Sequence, residues 1–175
     1  MVSQAPASSL LTGMAVILVE GITDRLALEA VAARLDLDLG GVEIVPIGGA
    51  QAIRRAAAEY DGELVVGLCD AGEERFFRRV LGDSTFVCVK DIEDELLRAV
   101  GVPRVEELLA AQGELTTFRH FQNQPAWRGR PAAEGLPRWL QSADRRRYRY
   151  LPLLVEMLEP EDIPAPLAGV LAAVA

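Results

Sequence analysis

Glu20 and Asp24 stand at the end of the run AVILVEGITD, residues 15–24, as two carboxylates just beyond a stretch apolar enough to be a buried strand. Acids in such a place are costly unless something positive meets them. The pattern recurs. Asp70, Glu73 and Glu74 follow the apolar run LVVGLC, and Asp91, Glu93, Asp94 and Glu95 follow the run that begins at Thr85. Three or four carboxylates brought to one place would hold a hard cation that prefers oxygen ligands, Mg²⁺ or Mn²⁺, as one ion or two. Such ions serve phosphoryl and phosphodiester chemistry, and a carboxylate not bound to the metal can act as general acid or base.

The elements that must position these acids alternate. Residues 14–19, 42–47, 64–69 and 85–89 read as strands, and 23–35, 50–60, 72–81 and 92–100 read as helices, with Gly40–Gly41, Gly48–Gly49 and Asp61–Gly62 between them. Strands that alternate with helices imply βαβ units, a parallel sheet and right-handed crossovers. All strand ends then share one edge, the edge where open α/β sheets bind ligands. Glu20 and Asp70 can meet there only if the first strand neighbours the third, so the expected order is 2-1-3-4.

Beyond Pro103 the character changes. Residues 105–112 look helical; 113–138 are polar and hold Pro125, Pro131 and Pro137, with Phe118, Phe121 and Trp127 among arginines; 142–159 read as one helix and 163–175 as a short apolar helix. The expected organisation is a loose tail over 1–13, an α/β domain over 14–112 and a mostly helical extension over 113–175.

Net charge is −8, but its distribution says more: residues 1–118 sum to −10, residues 119–149 to +6 and residues 150–175 to −4. An acidic body with one arginine-rich segment suits a metal site beside a phosphate-contacting surface; a solvated basic helix paired with the acidic body would look the same. No apolar run reaches the ~18 residues of a membrane span, and the start lacks a charged signal region. Cys69 and Cys88 both end apolar runs and read as buried free thiols, which fits a reducing cytoplasm.

VEGITD, PIGG, LCDAGEE and KDIEDEL together resemble the Toprim domain, shared by topoisomerases, primases and the overcoming-lysogenization-defect (OLD) nucleases. The resemblance covers about residues 14–101. It is nearest to the OLD type, whose Toprim ends in an acidic LEDEL-like segment, here Ile92–Leu96, before a helical extension with a basic motif similar to DRRRYRY, residues 144–150. It implies a three-layer α/β fold and a metal-dependent endonuclease acting on DNA. Glu20, Asp70 and Arg147 would be catalytic, and Glu20, Asp24, Asp70, Glu73, Asp91, Glu93 and Asp94 would serve the metal. Gly48, Gly49, Arg145, Arg146, Arg147 and Arg149 would contact nucleic acid.

Two positions depart from the family pattern. Gly72 stands where the second acid of Asp-x-Asp is expected, and Arg147 stands where the family has a lysine. They favour the alternative of a non-catalytic nucleic-acid or partner-binding module that has lost a second metal. OLD proteins also carry an ATPase; no GxxxxGK[ST] occurs here, so the chain reads as a free-standing Toprim whose ATPase partner, if it has one, is encoded separately.

Each assignment has a plainer counterpart. Asp24 can cap a helix, Glu73 and Glu74 can favour a helix dipole, and the cluster 91–95 is also a capping sequence. Gly48–Gly49 suits either a phosphate or a simple turn. His120 reads as structural, and Trp127 and Trp139 read as packing residues. The apolar stretches Leu151–Leu158 and Leu167–Val174 are candidates for a homodimer surface.

Overall fold

The computed structural model describes residues 14–175, so the expected tail over 1–13 lies outside the described residues. Four parallel strands form one sheet: β1 (Ala15–Val19), β2 (Val42–Pro46), β3 (Leu64–Cys69) and β4 (Thr85–Val87). Their order is β2-β1-β3-β4, as Glu20 and Asp70 require. In register, Val19 pairs with Pro46 on one side and Leu68 on the other, so β1 is central and its five residues are buried.

Alternation along β1 divides the core. Val16 and Leu18 pack with Ile53 and Ala56 of α2 (Ile53–Glu59) and Phe77 of α3 (Glu74–Leu81). Ile17 and Val19 face the larger cluster, built with Ala27, Leu28 and Val31 of α1 (Ile22–Arg34). This two-faced burial makes the strands continuously apolar. Gly67 is required by close approach: a Cβ there would stand 2.7 Å from Phe77 and Leu81. β4 stops at Val87, two residues before the expected end, because the Val89 N–H leaves the ladder and donates to Glu95 Oε1 at 2.6 Å.

α4 (Ile92–Val100) matches its expected range and α5 (Val102–Ala111) starts earlier than expected, with Pro103 tolerated in its first turn. The polar, proline-containing stretch at the start of the extension folds into two helices, α6 (Leu115–Gln122) and α7 (Ala132–Gln141). Pro137 removes one backbone donor from α7, but Leu136, Trp139 and Leu140 are buried beside it. Aromatic packing offsets the local preference: Phe118 and Trp139 meet edge to face at 5.6 Å, and Trp139 and Tyr150 at 5.9 Å. Trp139 is therefore a core residue.

α8 (Asp144–Glu156) packs along α1, and α9 (Ala165–Ala172) lies on β3 and β4 beside α1. A Cβ on Gly169 would stand 2.9 Å from the Phe86 ring, which shows how closely α9 sits on the sheet. Arg34 Nε donates to the Leu158 carbonyl at 2.7 Å and ties α1 to the chain after α8. Leu151, Leu154, Val155, Leu158, Leu167, Val170 and Leu171 are all buried within the chain. The two apolar stretches assigned to a dimer surface are thus largely taken up by its own core. No described helix is long and apolar enough to cross a membrane.

Candidate functional site

The sheet edge opens into a cleft of about 770 Å³ lined by Glu20, Thr23, Asp24, Gly48, Gly49, Asp70, Glu93, Arg147 and Tyr148, among others. Four acids that are far apart in the sequence meet here. Glu20 leaves the end of β1, and its Oε1 accepts from the Asp70 N–H at 3.0 Å. Asp24, in the first turn of α1, accepts the Gly21 N–H on Oδ2 at 2.8 Å, completing half of a capping box while lining the cleft. Asp70 follows β3. Glu93 comes from the first turn of α4.

Their environments differ. Burial pushes the Asp70 carboxyl up to about 8, and the nearby charges of Glu20, Asp24, Asp91 and Glu93 push the same way. Burial is also the main cause for Asp24, raised to about 6; the Gly21 N–H and Arg147 oppose it. Glu20 is raised by burial, against the Asp70 N–H and with the charge of Glu73. Groups this unfavourable to ionise without a cation are common where function places them.

Arg147 enters the cleft from α8. Its Nε donates to Glu93 Oε1 at 2.5 Å and its Nη2 to Thr23 Oγ1 at 2.8 Å. Glu93 is only 2% exposed, so this is a deeply held ion pair joining α4, α8 and α1. The link to Thr23 had no signal in the sequence, since 124 positions separate the partners.

The remaining expected site residues are placed elsewhere or engaged otherwise. Glu73 lies near Glu20 without lining the cleft. Asp91 caps α4 by accepting the Asp94 N–H at 2.8 Å, and its other oxygen accepts from Gln141 at 3.0 Å. Asp94 is held by Arg98 at 2.7 Å and faces Lys90 at 3.4 Å. Gly48 and Gly49 line the cleft, but their N–H groups donate to the Glu20 carbonyl at 3.0 and 3.3 Å, so the turn uses both amides. Arg146 lies 4.2 Å over the Trp139 ring and donates to Ser142 at 2.7 Å. Arg149 bonds Gln112 and covers Tyr150. Arg145 is exposed.

The donors at this edge are of the hard, oxygen type. Glu20, Asp24 and Asp70 offer carboxylate oxygens only, and among the described residues no hydrogen bond occupies Glu20 Oε2, Asp24 Oδ1 or either oxygen of Asp70. Among the described residues no group of three or more Asp, Glu, His or Cys side chains is arranged to hold a metal ion. Cys69 and Cys88 are buried free thiols; burial raises both, Cys69 to about 12, leaving neither a ready soft ligand.

Residues 13–61 match the family model described as overcoming lysogenization defect protein-like, TOPRIM domain. Among solved structures, the chain is similar to the C-terminal region of the Burkholderia pseudomallei OLD protein, with a TM-score of 0.65 and 17% identity over 93% of this chain and 96% of that one. It is likewise similar to the C-terminal region of the Xanthomonas campestris pv. campestris OLD protein, with a TM-score of 0.65 and 19% identity over 94% and 96% of the two chains. At these identities the likeness is one of fold, and it extends through the helical extension. No curated protein matches the sequence. The segment that carries VEGITD and PIGG thus matches the OLD-like Toprim model, and the fold from β1 through α9 is that of the C-terminal regions of these OLD proteins.

Proposed function

We propose that this protein carries out divalent-cation-dependent cleavage of phosphodiesters in nucleic acid, with DNA as the substrate. The observation that carries this reading is the meeting of Glu20, Asp24 and Asp70 in one open cleft beside Arg147. Glu20, Asp24 and Asp70 would hold Mg²⁺ or Mn²⁺, which supplies Lewis acidity and neutralises phosphodiester charge when bound.

The chain's own residues have distinct tasks. The Asp70 N–H orients the Glu20 carboxylate through Oε1 and leaves Oε2 towards the site's chemistry. Asp70, protonated near neutral pH until a cation arrives, gives up that proton on ion binding. Arg147, held at Nε and Nη2 and facing the exposed Asp144 at 3.7 Å through Nη1, would offer its remaining N–H groups to a phosphate oxygen. Tyr148, 44% exposed on the same wall, provides an apolar face at the mouth.

Supercoiled plasmid incubated with Mg²⁺ or Mn²⁺ tests the reading. The protein nicks or linearises it, and Glu20→Gln and Asp70→Asn each abolish this. A second reading, a binding module without catalysis, draws on Gly72, which contributes no carboxylate after β3. An inert wild type that still binds DNA with a strong salt dependence would favour that module. The same assay with an added P-loop ATPase tests whether a separate chain stimulates the activity, and light scattering tests self-association.

A further inference from the structure

α2 and α3 differ in surface from the rest of the molecule. The extension covers one face of the sheet, with α8 along α1 and α9 on β3 and β4. α2 and α3 pack side by side on the other face, where Ile53, Ala56 and Phe77 close their inner sides. Their outer sides hold Arg54, Arg55, Arg75, Arg78 and Arg79, all exposed. The same helices hold two acids, Glu59 and Glu74, so their balance is +3 in a chain of net −8. Arg78 is paired with Glu74 at 2.5 Å, and that pair is open to solvent and weak. Arg54, Arg55, Arg75 and Arg79 make no hydrogen bond or ion pair among the described residues, and residues 1–13 hold no acid that could meet them. The Arg75 guanidinium lies 4.7 Å over the Phe76 ring, which sets its plane and leaves its N–H edge free. The arginines at the start of α8, by contrast, are largely engaged: Arg146 with Ser142, Arg147 with Glu93 and Arg149 with Gln112.

We infer that the outer face of α2 and α3 binds the phosphate backbone of DNA, through Arg54, Arg55, Arg75 and Arg79. The inference rests on the nucleic-acid part of the reading above and not on a cation in the cleft. Both helices start beside that cleft. Gly48 and Gly49, on its wall, lead through residues 50–52 into α2, and Asp70 leads through residues 71–73 into α3. Arg54, Arg55 and Arg75 stand in the first turns, and Arg79 lies one turn further back, about 6 Å along the axis from Arg75. A strand that enters the cleft can therefore continue over guanidinium groups that have no acid to give up. Such arginines gain most from a phosphate, because no internal partner is lost on binding. The rest of the chain is net acidic and repels the backbone, which favours this side for DNA. Contacts of this kind position a substrate without reading its sequence.

Fluorescence anisotropy of the full chain with a labelled duplex of about 20 base pairs, in EDTA so that no cleavage intervenes, tests this. The wild type binds. Arg75→Gln/Arg79→Gln weakens binding about tenfold at about 0.1 M salt and lowers the slope of log K against log salt by about two. Arg54→Gln/Arg55→Gln does the same. Arg128→Gln/Arg138→Gln, an equal change of charge on exposed arginines of the extension, stays within about twofold of the wild type. The substituted side chains are exposed, so all three variants keep the wild-type melting temperature. An equal loss in the extension variant, a greater loss in Arg145→Gln, or no binding by the wild type would overturn the inference. Self-association that Arg75→Gln/Arg79→Gln abolishes, without DNA binding, would assign the face to a second copy instead. Plasmid nicking by a wild type whose DNA affinity the α2 and α3 substitutions leave unchanged would sink the inference and leave the cleavage reading standing. Binding lost as expected in a protein inert with Mg²⁺ and Mn²⁺ would sustain the inference and sink that reading.

Discussion

The Asp70 N–H donates to Glu20 Oε1 at 3.0 Å, joining the ends of two adjacent strands that are 50 residues apart in the chain. The register that pairs Val19 with Leu68 brings them together. Glu20 is therefore both a candidate ligand and the acceptor that satisfies a backbone donor at the sheet edge. Glu20→Gln keeps an acceptor and changes stability little, whereas Glu20→Ala strands the donor and costs about 1 kcal/mol. Urea unfolding measures the difference. Equal stabilities of the two variants would show that the bond contributes nothing.

The raised acids give stability a defined pH dependence. Asp70 titrates near 3.8 when unfolded and at about 8 when folded. Between those values the folded state holds a proton that the unfolded state has lost, so unfolding releases a proton and stability falls as pH rises. Asp24, moved from 3.8 to about 6, acts in the same sense over the lower part of the window. Without divalent ions the melting temperature should decline from about pH 5 to 8, and Asp70→Asn should flatten the upper part of that decline. Added Mn²⁺ should raise the melting temperature more at pH 8 than at pH 6. A melting temperature that climbs through this range in metal-free buffer would contradict the assignment.

Removing Arg147 while Glu93 remains leaves a buried carboxylate without its partner. Arg147→Ala should cost about 3 kcal/mol, and Glu93→Gln should recover part of that loss in the double variant. A double-mutant cycle in urea reads the coupling; strictly additive effects would mean that the pair contributes no interaction energy.

Gly72 has room for a side chain, because a Cβ there meets nothing within 4 Å and its φ lies outside the left-handed region. Gly72→Asp should fold with a stability change within about 1 kcal/mol. It should also bind Mn²⁺ more tightly than the wild type, read by titration of the free-ion electron paramagnetic resonance signal. Unchanged or weaker affinity would place residue 72 outside the reach of the ion.

The closeness of α9 to the sheet predicts that the extension unfolds with the α/β body. Gly169→Val drives a branched side chain into the Phe86 ring and should cost about 1–3 kcal/mol. Far-ultraviolet dichroism and the fluorescence of Trp127 and Trp139 should report one common transition, lowered together. Separate transitions would show that the extension is an independent unit.

Apolar runs and their punctuation were enough to place the four strands, α1 and α4, and the need for Glu20 and Asp70 to meet determined the strand order. The likeness of VEGITD and PIGG to a Toprim domain was equally a property of local sequence. The extension was legible as mostly helical, but the bounds of α6 and α7 were not, because their prolines and polar residues argue against helix and the buried aromatic contacts of Phe118, Trp139 and Tyr150 outweigh them. Nor could spacing sort the acids. Asp91, Glu93 and Asp94 occupy the cap and first turn of one helix, yet Asp94 meets Arg98, Asp91 meets Gln141, and of the three only Glu93 lines the cleft. Likewise four arginines crowd the start of α8, and only Arg147 reaches Glu93 and Thr23. The sequence by itself determined which residue types reach the sheet edge. Only the tertiary structure decided which are held by neighbours and which stay open to a ligand, because a helix turns each successive side chain by about 100° towards a different partner.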